Sequence, residues 1–286
     1  MKLNMPEAEL FIPDGTEEEA ALARTTHLAI GAHQDDLEIM AFDGIAQCFQ
    51  QADKWFTGVV VTSGSGSPRT GLYAEYSDED MVKIRREEQK KAALIGDFAA
   101  QFLLDFPSNA VKDGKDNRAS HDLAAILKAT QPEVVYTHNL ADKHDTHVGV
   151  TMKVISAIRQ IPEEMRPKKL YGCEVWRDLD WMVDEEKVLF DVSSHENLQA
   201  ALLGVFDSQI AGGKRYDLAT MGRRRAHATY TASHGVDETT GLSFAMDLTP
   251  LVEDKDMEAL ELIQKHVRQF QQDITTRIRK VTATGN

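Results

Sequence analysis

Short apolar runs alternate with amphipathic segments along the first half of the chain. Four runs are mostly apolar over five to seven positions, as buried strands are, and they span residues 26–32, 56–62, 98–104 and 133–137. The segment from Ser77 to Gly96 is typical of a helix, because Ser77 and Asp80 have the spacing of a capping box and Gly96 can end the helix. This alternation predicts an α/β fold with a mainly parallel sheet and right-handed crossovers.

The pattern becomes less regular after about residue 165. Residues 170–176 and 188–192 are predicted to extend the sheet, and residues 196–210 are predicted to be helical. Residues 254–280 form a long, charged, amphipathic segment that we expect to pack as a helix on the same domain. A partner-binding or oligomer-forming helix is the alternative interpretation, so a homo-oligomer stays open.

The length of the chain, 286 residues and 31.9 kDa, fits one large domain with its own core. No internal repeat or Pro/Gly-rich linker forces a domain boundary. We therefore expect a single domain over residues 1–286, with helices on both faces of the sheet. A regular core is expected over about residues 26–160, and a less regular C-terminal extension over about residues 165–286.

Composition and charge narrow the class of protein. The chain has 32 Lys and Arg against 46 Asp and Glu, a net charge of −14, and such a surface repels phosphate backbones and anionic lipids. Its two cysteines, Cys48 and Cys173, are too few for a disulfide scaffold or a cysteine-rich metal site. The sequence shows neither a signal-peptide pattern nor a run of about 18 apolar residues. We therefore expect a soluble, cytoplasmic protein that binds neither nucleic acid nor membranes.

Polar side chains crowd the loop after the first predicted strand. His33, Asp35, Asp36 and Glu38 place one imidazole and three carboxylates within six residues. Carboxylates packed so closely repel one another, and their burial is costly unless a cation is present. The two aspartates alone could simply cap the helix that follows, but that interpretation does not explain the whole cluster.

A second polar cluster follows the fourth predicted strand. Residues 138–147 contain His138, His144 and His147, three of the ten histidines of the chain, together with two acids. The carboxyl ends of parallel strands meet at one edge of a sheet, so the fold can bring the two clusters together. Either loop alone could be a solvated polar loop, but taken together they favour a metal site.

Imidazole and carboxylate groups without thiolates suit a catalytic divalent metal ion. Three protein ligands leave a position for water, whose pKa the metal lowers. A carboxylate beside that water can accept its proton, and a nearby histidine can stabilise or protonate the departing group. The two clusters supply candidates for each of these roles.

The two clusters resemble the motifs of one known family. The sequence Ala-His-Gln-Asp-Asp-Leu-Glu at residues 32–38 is followed about a hundred residues later by a His-x3-Asp-x-His-x2-His pattern at residues 138–147. Together they are similar to the AHPDDxE and HPDH-type loops of the LmbE/PIG-L family of zinc-dependent N-acetylglucosamine de-N-acetylases. The resemblance covers about residues 26–160. It implies a Rossmann-like α/β fold, Zn²⁺ as the cofactor, and a small-molecule substrate that is an N-acetylated sugar or sugar conjugate.

Carried over residue by residue, the resemblance makes His33, Asp36 and His147 the metal ligands. It makes Asp35 the general base that activates water. It places His144 beside the tetrahedral intermediate, where this residue stabilises the oxyanion or protonates the leaving amine. The implied reaction is attack of water on the carbonyl carbon of an acetamide group, which releases acetate and a free amine.

The resemblance also assigns supporting roles. Glu38 and Asp142 would orient the ligands, the usual support of a metal site. Arg85 would contact the substrate. Weaker similarities to the family lie at Glu88 and Ser208.

Two positions depart from the family pattern. Gln34 replaces the usual proline, which should relax the loop but removes no ligand or catalytic group. Thr146 replaces the carboxylate that precedes the last histidine of the motif, so His144 loses a neighbouring charge that could tune its pKa. Asp145 could compensate from the adjacent position if its side chain points the same way.

Three other features have competing interpretations. The Gly- and Ser-rich stretch 62–71 lacks the P-loop pattern and is interpreted as a mobile loop at the rim of the active site. The basic run at residues 221–227 is either a solvated face or an anion contact for the substrate. Trp176, Trp181 and Tyr171 could form an aromatic platform for a sugar ring, although core packing is the commoner role of such residues.

Two other functions fit parts of the sequence. Two histidines and one carboxylate also describe the facial triad of non-haem Fe(II) oxygenases, although that triad normally lies on an all-β scaffold and its enzymes consume O2. A non-catalytic metal- or sugar-binding protein would bind zinc and sugar without releasing acetate, and Thr146 favours this alternative. The N-acetylated substrate and the metal used in the cell both stay open, since sites of nitrogen and oxygen ligands accept several divalent metals.

Overall fold

The computed structural model describes residues 1–283 of the chain. The strands are β1 (Glu9–Phe11), β2 (His27–Gly31), β3 (Phe56–Thr62), β4 (Ala100–Phe106), β5 (Val134–His138), β6 (Lys169–Cys173), β7 (Lys187–Asp191) and β8 (Leu242–Asp247). The helices are α1 (Glu18–Ala23), α2 (Asp36–Met40), α3 (Phe42–Cys48), α4 (Asp78–Ile95), α5 (Ser108–Lys112), α6 (Arg118–Thr130), α7 (Asp145–Gln160), α8 (Glu196–Gly204), α9 (Asp207–Ile210), α10 (Tyr216–Tyr230), α11 (Pro250–Glu253) and α12 (Ala259–Thr282).

The eight strands of residues 1–283 form one sheet in the order β1-β4-β3-β2-β5-β6-β8-β7. The five strands from β4 to β6 in this order pair in parallel, whereas β1, β8 and β7 pair antiparallel at the two edges. Helices connect the successive parallel strands, as the alternation of apolar runs predicts. The predicted α/β fold with a mainly parallel sheet is therefore confirmed.

Helices cover both faces of the sheet, because successive residues of a strand point to opposite sides. Leu28 and Ile30 of β2 pack on one side, in a cluster that includes residues of α6, α7 and α11. Ala29, between them, belongs to the opposite cluster, with residues of α3, α4 and α8. Strands β2 and β3 are buried on both sides, which explains their continuous apolar runs.

Helix α4 begins where the sequence predicts. The Ser77 hydroxyl accepts a hydrogen bond from the backbone N–H of Asp80 at 3.1 Å, and the Asp80 carboxylate accepts one from the backbone N–H of Ser77 at 3.1 Å. These reciprocal bonds satisfy two amides, one of them an N–H that the start of a helix leaves without a partner. Arg85, Glu88 and Gln89 lie on the buried side of α4, so the capping box fixes the start of a helix whose inner face reaches the site.

The sequence pattern does not predict β8 or α10. Strand β8 lies between β6 and β7, and five of its six residues are buried. Its sequence contains Ser243 and ends at Asp247, without a run of β-branched residues. Its register depends on β6 and β7, which are distant in the chain, so a local pattern does not reveal it. The helix predicted over residues 196–210 is instead two helices, α8 and α9, which are separated at Val205 and Phe206.

Helix α12 contacts the rest of the fold along its first half. Leu262 is buried, and Glu186 accepts hydrogen bonds from Lys265 Nζ at 3.1 Å and from Gln269 Nε2 at 2.7 Å. In the second half, Ile274 is 41% exposed. The predicted docking of this segment therefore holds for its first half. No helix within residues 1–283 is both long and apolar enough to cross a membrane.

Candidate active site

Both polar clusters lie at the same edge of the sheet. The first follows β2 and the second follows β5, and these two strands are parallel neighbours. Their carboxyl ends are therefore adjacent, where open α/β sheets carry their sites. Asp36 is the first residue of α2, and His147 lies in the first turn of α7. Each cluster thus runs from the end of a strand into the start of a helix.

Three ligand-type atoms converge at this edge. His33 Nδ1 lies 3.3 Å from Asp36 Oδ2 and 3.2 Å from His147 Nε2, and His147 Nε2 lies 3.5 Å from Asp36 Oδ2. Asp36 and His147 are buried, whereas His33 is partly exposed. The backbone N–H of His33 donates to Asp36 Oδ2 at 2.7 Å and holds this carboxylate in place.

The spacing of these atoms fits a small divalent cation. An ion bound tetrahedrally at about 2.0–2.1 Å has ligand atoms about 3.3–3.4 Å apart, which is close to the three separations in this protein. Without a cation, two ring nitrogens and a carboxylate oxygen would crowd together in a buried site. The overlapping sets of His33, His144 and His147, and of Asp36, His138 and His147, also have the spacing needed to hold a metal. The donor set is one that binds divalent transition metals.

Asp142 supports the second cluster. Its Oδ2 lies 3.4 Å from His147 Nδ1 and accepts a hydrogen bond from the backbone N–H of Trp176 at 3.1 Å. Its Oδ1 accepts a hydrogen bond from the backbone N–H of His144 at 3.0 Å. A proton on His147 Nδ1 that is bound to this carboxylate leaves Nε2 free to face the centre. Asp142 thus orients one imidazole and fixes the backbone that carries another.

His138 is a fourth imidazole at the centre, and the family pattern gives it no role. Its Nε2 accepts a hydrogen bond from the backbone N–H of Ala32 at 2.9 Å and lies 3.4 Å from Asp36 Oδ2. Its ring stacks on that of His147, with centroids 3.9 Å apart. Because Nε2 accepts this hydrogen bond, the neutral ring carries its own proton on Nδ1. The sequence signal for His138 is its position as the last residue of β5 and the first residue of the second cluster.

Asp35 lies beside the centre in a backbone conformation that is uncommon outside glycine. Its φ angle is 95°, in the left-handed region. Its backbone N–H donates to Gln89 Oε1 at 3.3 Å, and its carboxylate lies 3.9 Å from the Arg85 guanidinium. Burial raises the pKa of Asp35 to about 8, although the charge of Arg85 opposes this shift. The carboxyl group is therefore able to exchange a proton near neutral pH.

Glu38 reaches Asp35 through Gln89. The Gln89 side chain donates from Nε2 to Glu38 Oε1 at 2.8 Å, while its Oε1 holds the backbone of Asp35. Burial raises the pKa of Glu38 to about 8. The sequence motifs do not reveal Gln89. Its signal is that Arg85 and Gln89 are four positions apart, and so share one face of α4.

Arg85 joins two loops at the wall of the site. Its NH2 donates to the carbonyl oxygen of Gln34 at 2.7 Å, and its NH1 donates to the carbonyl oxygen of Gly64 at 3.0 Å and to Ser67 Oγ. The loop after β2 is thereby connected to the loop after β3. The guanidinium also lines the pocket, where a substrate contact is predicted.

The two departures from the family pattern have different surroundings. The Gln34 side chain is buried, and its Nε2 donates to the carbonyl oxygens of Thr62 and Ser63 at 3.4 and 3.3 Å, which ties the loop after β2 to the end of β3. Thr146 is buried and lines the pocket. Asp145 is exposed and lines a separate groove between α5 and α7. Burial lowers the pKa of His144, and the charge of Asp145 is one of those that oppose this shift, so Asp145 acts on His144 without lining the pocket.

A pocket of about 470 Å³ opens onto the centre. The Gly- and Ser-rich stretch 62–71 forms part of its wall, in agreement with a loop at the rim of the site. Of the three aromatic residues considered as a platform for a sugar ring, Trp176 lines the pocket and stacks on His144 with ring centroids 6.4 Å apart. Tyr171 and Trp181 instead pack against other aromatic rings of the fold.

One residue of the basic run at residues 221–227 supports the site from behind, and we call such a buried supporting contact a brace. Arg224 is buried, and its guanidinium donates to the carbonyl oxygens of Glu38 and Ile39 at 2.9 and 3.0 Å and to Gln199 Oε1 at 2.8 Å. The two carbonyls lie near the C-terminal end of α2, where a positive charge is favourable. At this position, the interpretations as a solvated face and as an anion contact are both wrong, because the guanidinium is enclosed and its partners are already in place.

A second brace joins α9 to α4. The backbone N–H and the hydroxyl of Ser208 donate to the two carboxylate oxygens of Glu88 at 2.7 and 2.6 Å. These are the positions at which the sequence shows a weaker similarity to the family. Gln209, the next residue, lines the pocket. The pair therefore positions one wall of the site.

The fold and the centre together define a class of protein: an α/β sheet that carries a His/Asp metal-type site, with a further carboxylate beside it, at the carboxyl edge of its parallel strands. Residues 28–158 match the family model described as PIG-L: GlcNAc-PI de-N-acetylase. The resemblance drawn from the two motifs is therefore confirmed for residues 28–158, which match the PIG-L (LmbE) family.

A curated relative agrees with this family. The chain is 27% identical over 136 residues to the uncharacterized deacetylase YaiS of Escherichia coli (strain K12), an alignment that covers 48% of this chain and 69% of YaiS. Together with the family match, this relative indicates an amide-hydrolysing enzyme.

Solved structures share the fold at low sequence identity. GalB, the 4-carboxy-2-hydroxymuconate hydratase of Pseudomonas putida KT2440, has a TM-score of 0.60 at 18% identity, covering 78% of this chain and 95% of GalB. The N,N'-diacetylchitobiose deacetylase of Pyrococcus horikoshii has a TM-score of 0.58 at 16% identity, covering 78% of this chain and 84% of that enzyme. These similarities extend the shared fold beyond the residues that match the family model.

Proposed function

We propose that this protein is a zinc-dependent hydrolase that removes the acetyl group from an N-acetylglucosamine-type sugar or sugar conjugate. The observation that carries the proposal is the convergence of His33, Asp36 and His147, at separations of 3.2–3.5 Å, beside the carboxyl group of Asp35. A ligand set of two imidazoles and one carboxylate leaves a coordination position for water or substrate. The family match supports the choice of an amide as the bond that is broken.

His33, Asp36 and His147 would hold the metal ion, which we take to be Zn²⁺. When bound, the ion acts as a Lewis acid that polarises the amide carbonyl and lowers the pKa of a water molecule in the site. Asp142 supports this arrangement, because its carboxylate orients the imidazole of His147. Glu38 supports Asp35 indirectly: it accepts a hydrogen bond from Gln89, and Gln89 in turn binds the backbone N–H of Asp35.

Asp35 is the general base of the proposed reaction. Its carboxyl group lies next to Asp36 in the chain and lines the pocket, so it is placed to accept the proton of the attacking water. The Arg85 guanidinium at 3.9 Å favours the ionised form that a base requires. Arg85 itself lines the pocket and is proposed to contact the substrate as well as to hold the loops.

His144 is the residue proposed to act on the departing group. It lines the pocket, and its imidazole has no side-chain hydrogen bond to a carboxylate among the described residues, since Asp142 binds its backbone N–H instead. A protonated imidazole there can stabilise the oxyanion or donate a proton to the amine as the C–N bond breaks. Acetate and the free amino sugar are then released.

The pocket suits a sugar-sized substrate. Its volume of about 470 Å³ lies within the range of small-molecule sites. Trp176 offers an apolar ring face against which a pyranose can pack. The hydratase GalB and the chitobiose deacetylase share this fold, so the fold alone does not choose the reaction, and the proposal rests on the centre and on the family match.

The test is release of acetate from a panel of N-acetylated glucosamine compounds by zinc-loaded protein. The Asp35→Asn variant is measured alongside, with bound zinc determined for both proteins. We expect release by the wild type and a loss of at least about a thousandfold in the variant, because the base is removed while the zinc ligands remain. Bound zinc without acetate release from any compound would instead favour the non-catalytic binding protein. Consumption of O2 by the iron-loaded protein would favour an oxygenase.

A further inference from the structure

One tyrosine enters the pocket from the region after residue 165. Tyr216 is the first residue of α10, and it lines the same pocket as Asp35 and Asp36. Its backbone N–H donates to the carbonyl oxygen of Lys214 at 2.8 Å, which fixes the point where the side chain leaves the backbone. A side chain from outside the two motifs is therefore present at the reacting end of the pocket.

Packing holds the ring of Tyr216 in place. The ring lies edge-on against Trp176, with the ring centroids 6.1 Å apart and the ring planes at 89°. Trp176 in turn stacks on His144, with centroids 6.4 Å apart. These contacts involve the apolar part of the tyrosine. The hydroxyl is therefore not needed to hold the ring.

The hydroxyl of Tyr216 is free of protein partners. Within residues 1–283 it makes no hydrogen bond, although the side chain is half-buried. The buried tyrosines of the fold behave differently, because Tyr73 donates to Asp207 at 2.7 Å and Tyr136 donates to Asp43 at 2.8 Å. A buried phenol usually finds such a partner. The hydroxyl of Tyr216 is thus left for a ligand.

This hydroxyl faces the centre of the site. Burial raises the pKa of Tyr216, the charges of Asp35 and Asp36 raise it further, and the charge of Arg85 opposes them. The phenol therefore keeps its proton at neutral pH and acts as a hydrogen-bond donor. Since neither carboxylate accepts a hydrogen bond from it, the space between them is open to an atom of the substrate.

The substrate atom that suits this donor is the oxygen of the amide. The attacking water is a poor partner, because it gives its proton to Asp35 and needs a lone pair for the attack. The amide oxygen has free lone pairs and becomes negative when water adds to the carbonyl carbon. A donor that is already in place, where bulk water is largely excluded, stabilises such a developing charge strongly.

We propose that Tyr216 is a further catalytic residue, whose hydroxyl donates a hydrogen bond to the amide oxygen of the substrate as that oxygen becomes negative. This inference rests on the proposed amide hydrolysis. Water adds to the carbonyl carbon and gives a proton to Asp35, and the π electrons of the C=O bond move to oxygen. They return when the C–N bond breaks and the amine takes a proton. Tyr216 keeps its own proton throughout, so His144 is left to serve the amine.

The experiment compares two tyrosines of the same helix. Zinc-loaded wild type, Tyr216→Phe and Tyr230→Phe are assayed for release of the acyl group from N-acetylglucosamine and N-trifluoroacetylglucosamine. Phenylalanine keeps the ring and its packing and removes only the hydroxyl. Tyr230, the last residue of α10, is 79% exposed and does not line the pocket, so it is the matched control. Bound zinc and the urea midpoint are measured for each protein.

We expect kcat for N-acetylglucosamine to fall by about a hundredfold in Tyr216→Phe, with KM within about threefold of the wild type. The loss should be smaller for the trifluoroacetyl sugar, because its fluorines already stabilise the negative oxygen. Tyr230→Phe should stay within about twofold of the wild type, and bound zinc should be unchanged in both variants.

Three results would overturn the assignment while leaving the deacetylase intact. The first is an unchanged kcat in Tyr216→Phe. The second is a rise in KM alone, which would indicate a contact with a sugar hydroxyl instead. The third is a loss of kcat in Thr146→Val with none in Tyr216→Phe, since Thr146 also presents a hydroxyl to the pocket.

A binding measurement keeps the inference separate from the proposed function. Calorimetry is performed with glucosamine and with its N-methylphosphonyl derivative, whose tetrahedral phosphorus group imitates water added to the amide. Tyr216→Phe should bind the derivative at least tenfold more weakly than the wild type does, and bind glucosamine, which lacks the acyl oxygen, equally well. If no compound releases acetate, the proposed deacetylase fails, and calorimetry then decides Tyr216 alone. Equal affinity of both proteins for the derivative, or no binding of it by the wild type, overturns the inference.

Discussion

The regions before and after residue 165 contribute to the site in different ways. Within residues 26–160 lie all the proposed metal ligands, together with Asp35 and His144. The later region supplies no ligand, yet Arg224 holds the end of α2, and the backbone N–H of Trp176 binds Asp142. The first region therefore carries the metal ligands and the base, and the second holds them in place and forms a wall of the pocket.

The difference teaches that reactive groups and their supports leave different traces in a sequence. The ligands come from two short stretches rich in His and Asp, each directly after a strand. The supports act largely on backbone atoms, and a carbonyl oxygen is present at every position of a chain. A local pattern can therefore reveal the ligands but not the braces.

The largest effect should follow from the loss of a ligand. His147→Ala removes one of the three converging atoms and leaves Asp142 without its imidazole partner. We expect stoichiometric zinc binding to be lost, and acetate release to fall by more than about a thousandfold. The zinc content after dialysis and the initial rate of acetate release test these two expectations. A chelator should reduce the wild type to the same level, and full activity after chelation would contradict a metal-dependent reaction.

A brace from the second region should affect stability rather than metal chemistry. Arg224→Met leaves the carbonyl oxygens of Glu38 and Ile39 and the Gln199 amide oxygen without their buried donor. We expect the free energy of unfolding to fall by about 3 kcal/mol, as for other buried charged groups that lose their partners. Urea denaturation measures this change.

The adjacent arginine is the matched control. Arg225→Met removes an exposed ion pair with Glu196, and such pairs contribute little to stability, so a change below about 0.5 kcal/mol is expected. An equal loss of unfolding free energy in Arg224→Met and Arg225→Met would show that the buried contacts of Arg224 contribute no more than an exposed ion pair.

A support within the first region should affect turnover more than folding. Gln89→Leu removes the acceptor that holds the backbone N–H of Asp35 and the donor to Glu38. We expect kcat to fall by about tenfold, because a small displacement of a catalytic group lowers its efficiency. Steady-state kinetics with bound zinc as a second readout test this. The exposed Glu87→Gln change on the same helix should leave kcat within twofold, and a similar loss there would point to α4 as a whole.

The smallest effect is expected at the end of α12. Ile274→Ser exchanges a side chain that is 41% exposed, so the free energy of unfolding should change by less than about 0.5 kcal/mol. Ile263→Ser, in the half of the helix that packs on the core, should cost about 1–2 kcal/mol. Thermal melts of the two variants at several protein concentrations compare the halves. A large, concentration-dependent loss at Ile274 would show that this face is covered in an oligomer.

The sequence predicts the central sheet well, because its strands are buried on both faces and therefore have continuous apolar runs. It does not predict β8, whose place depends on partners far along the chain. For the site, His33, Asp36 and His147 could be found because their residue types and spacing match a motif. Gln89 and Arg224 could not, because glutamine and arginine are common in other settings. His138 stands in the second cluster, but only its three-dimensional partners show its role.

The turn at Asp35 points the side chains of two adjacent aspartates in different directions. The φ angle is positive at Asp35, and Asp36 then begins a helix, so one carboxylate lies near Arg85 and the next faces the histidines. Asparagine and glycine tolerate the left-handed conformation, whereas alanine does so at a cost. The substitution Asp35→Ala would therefore change the backbone conformation and remove the carboxylate at the same time, so the two effects could not be separated. Asparagine, of nearly the same shape, reports on the charge alone.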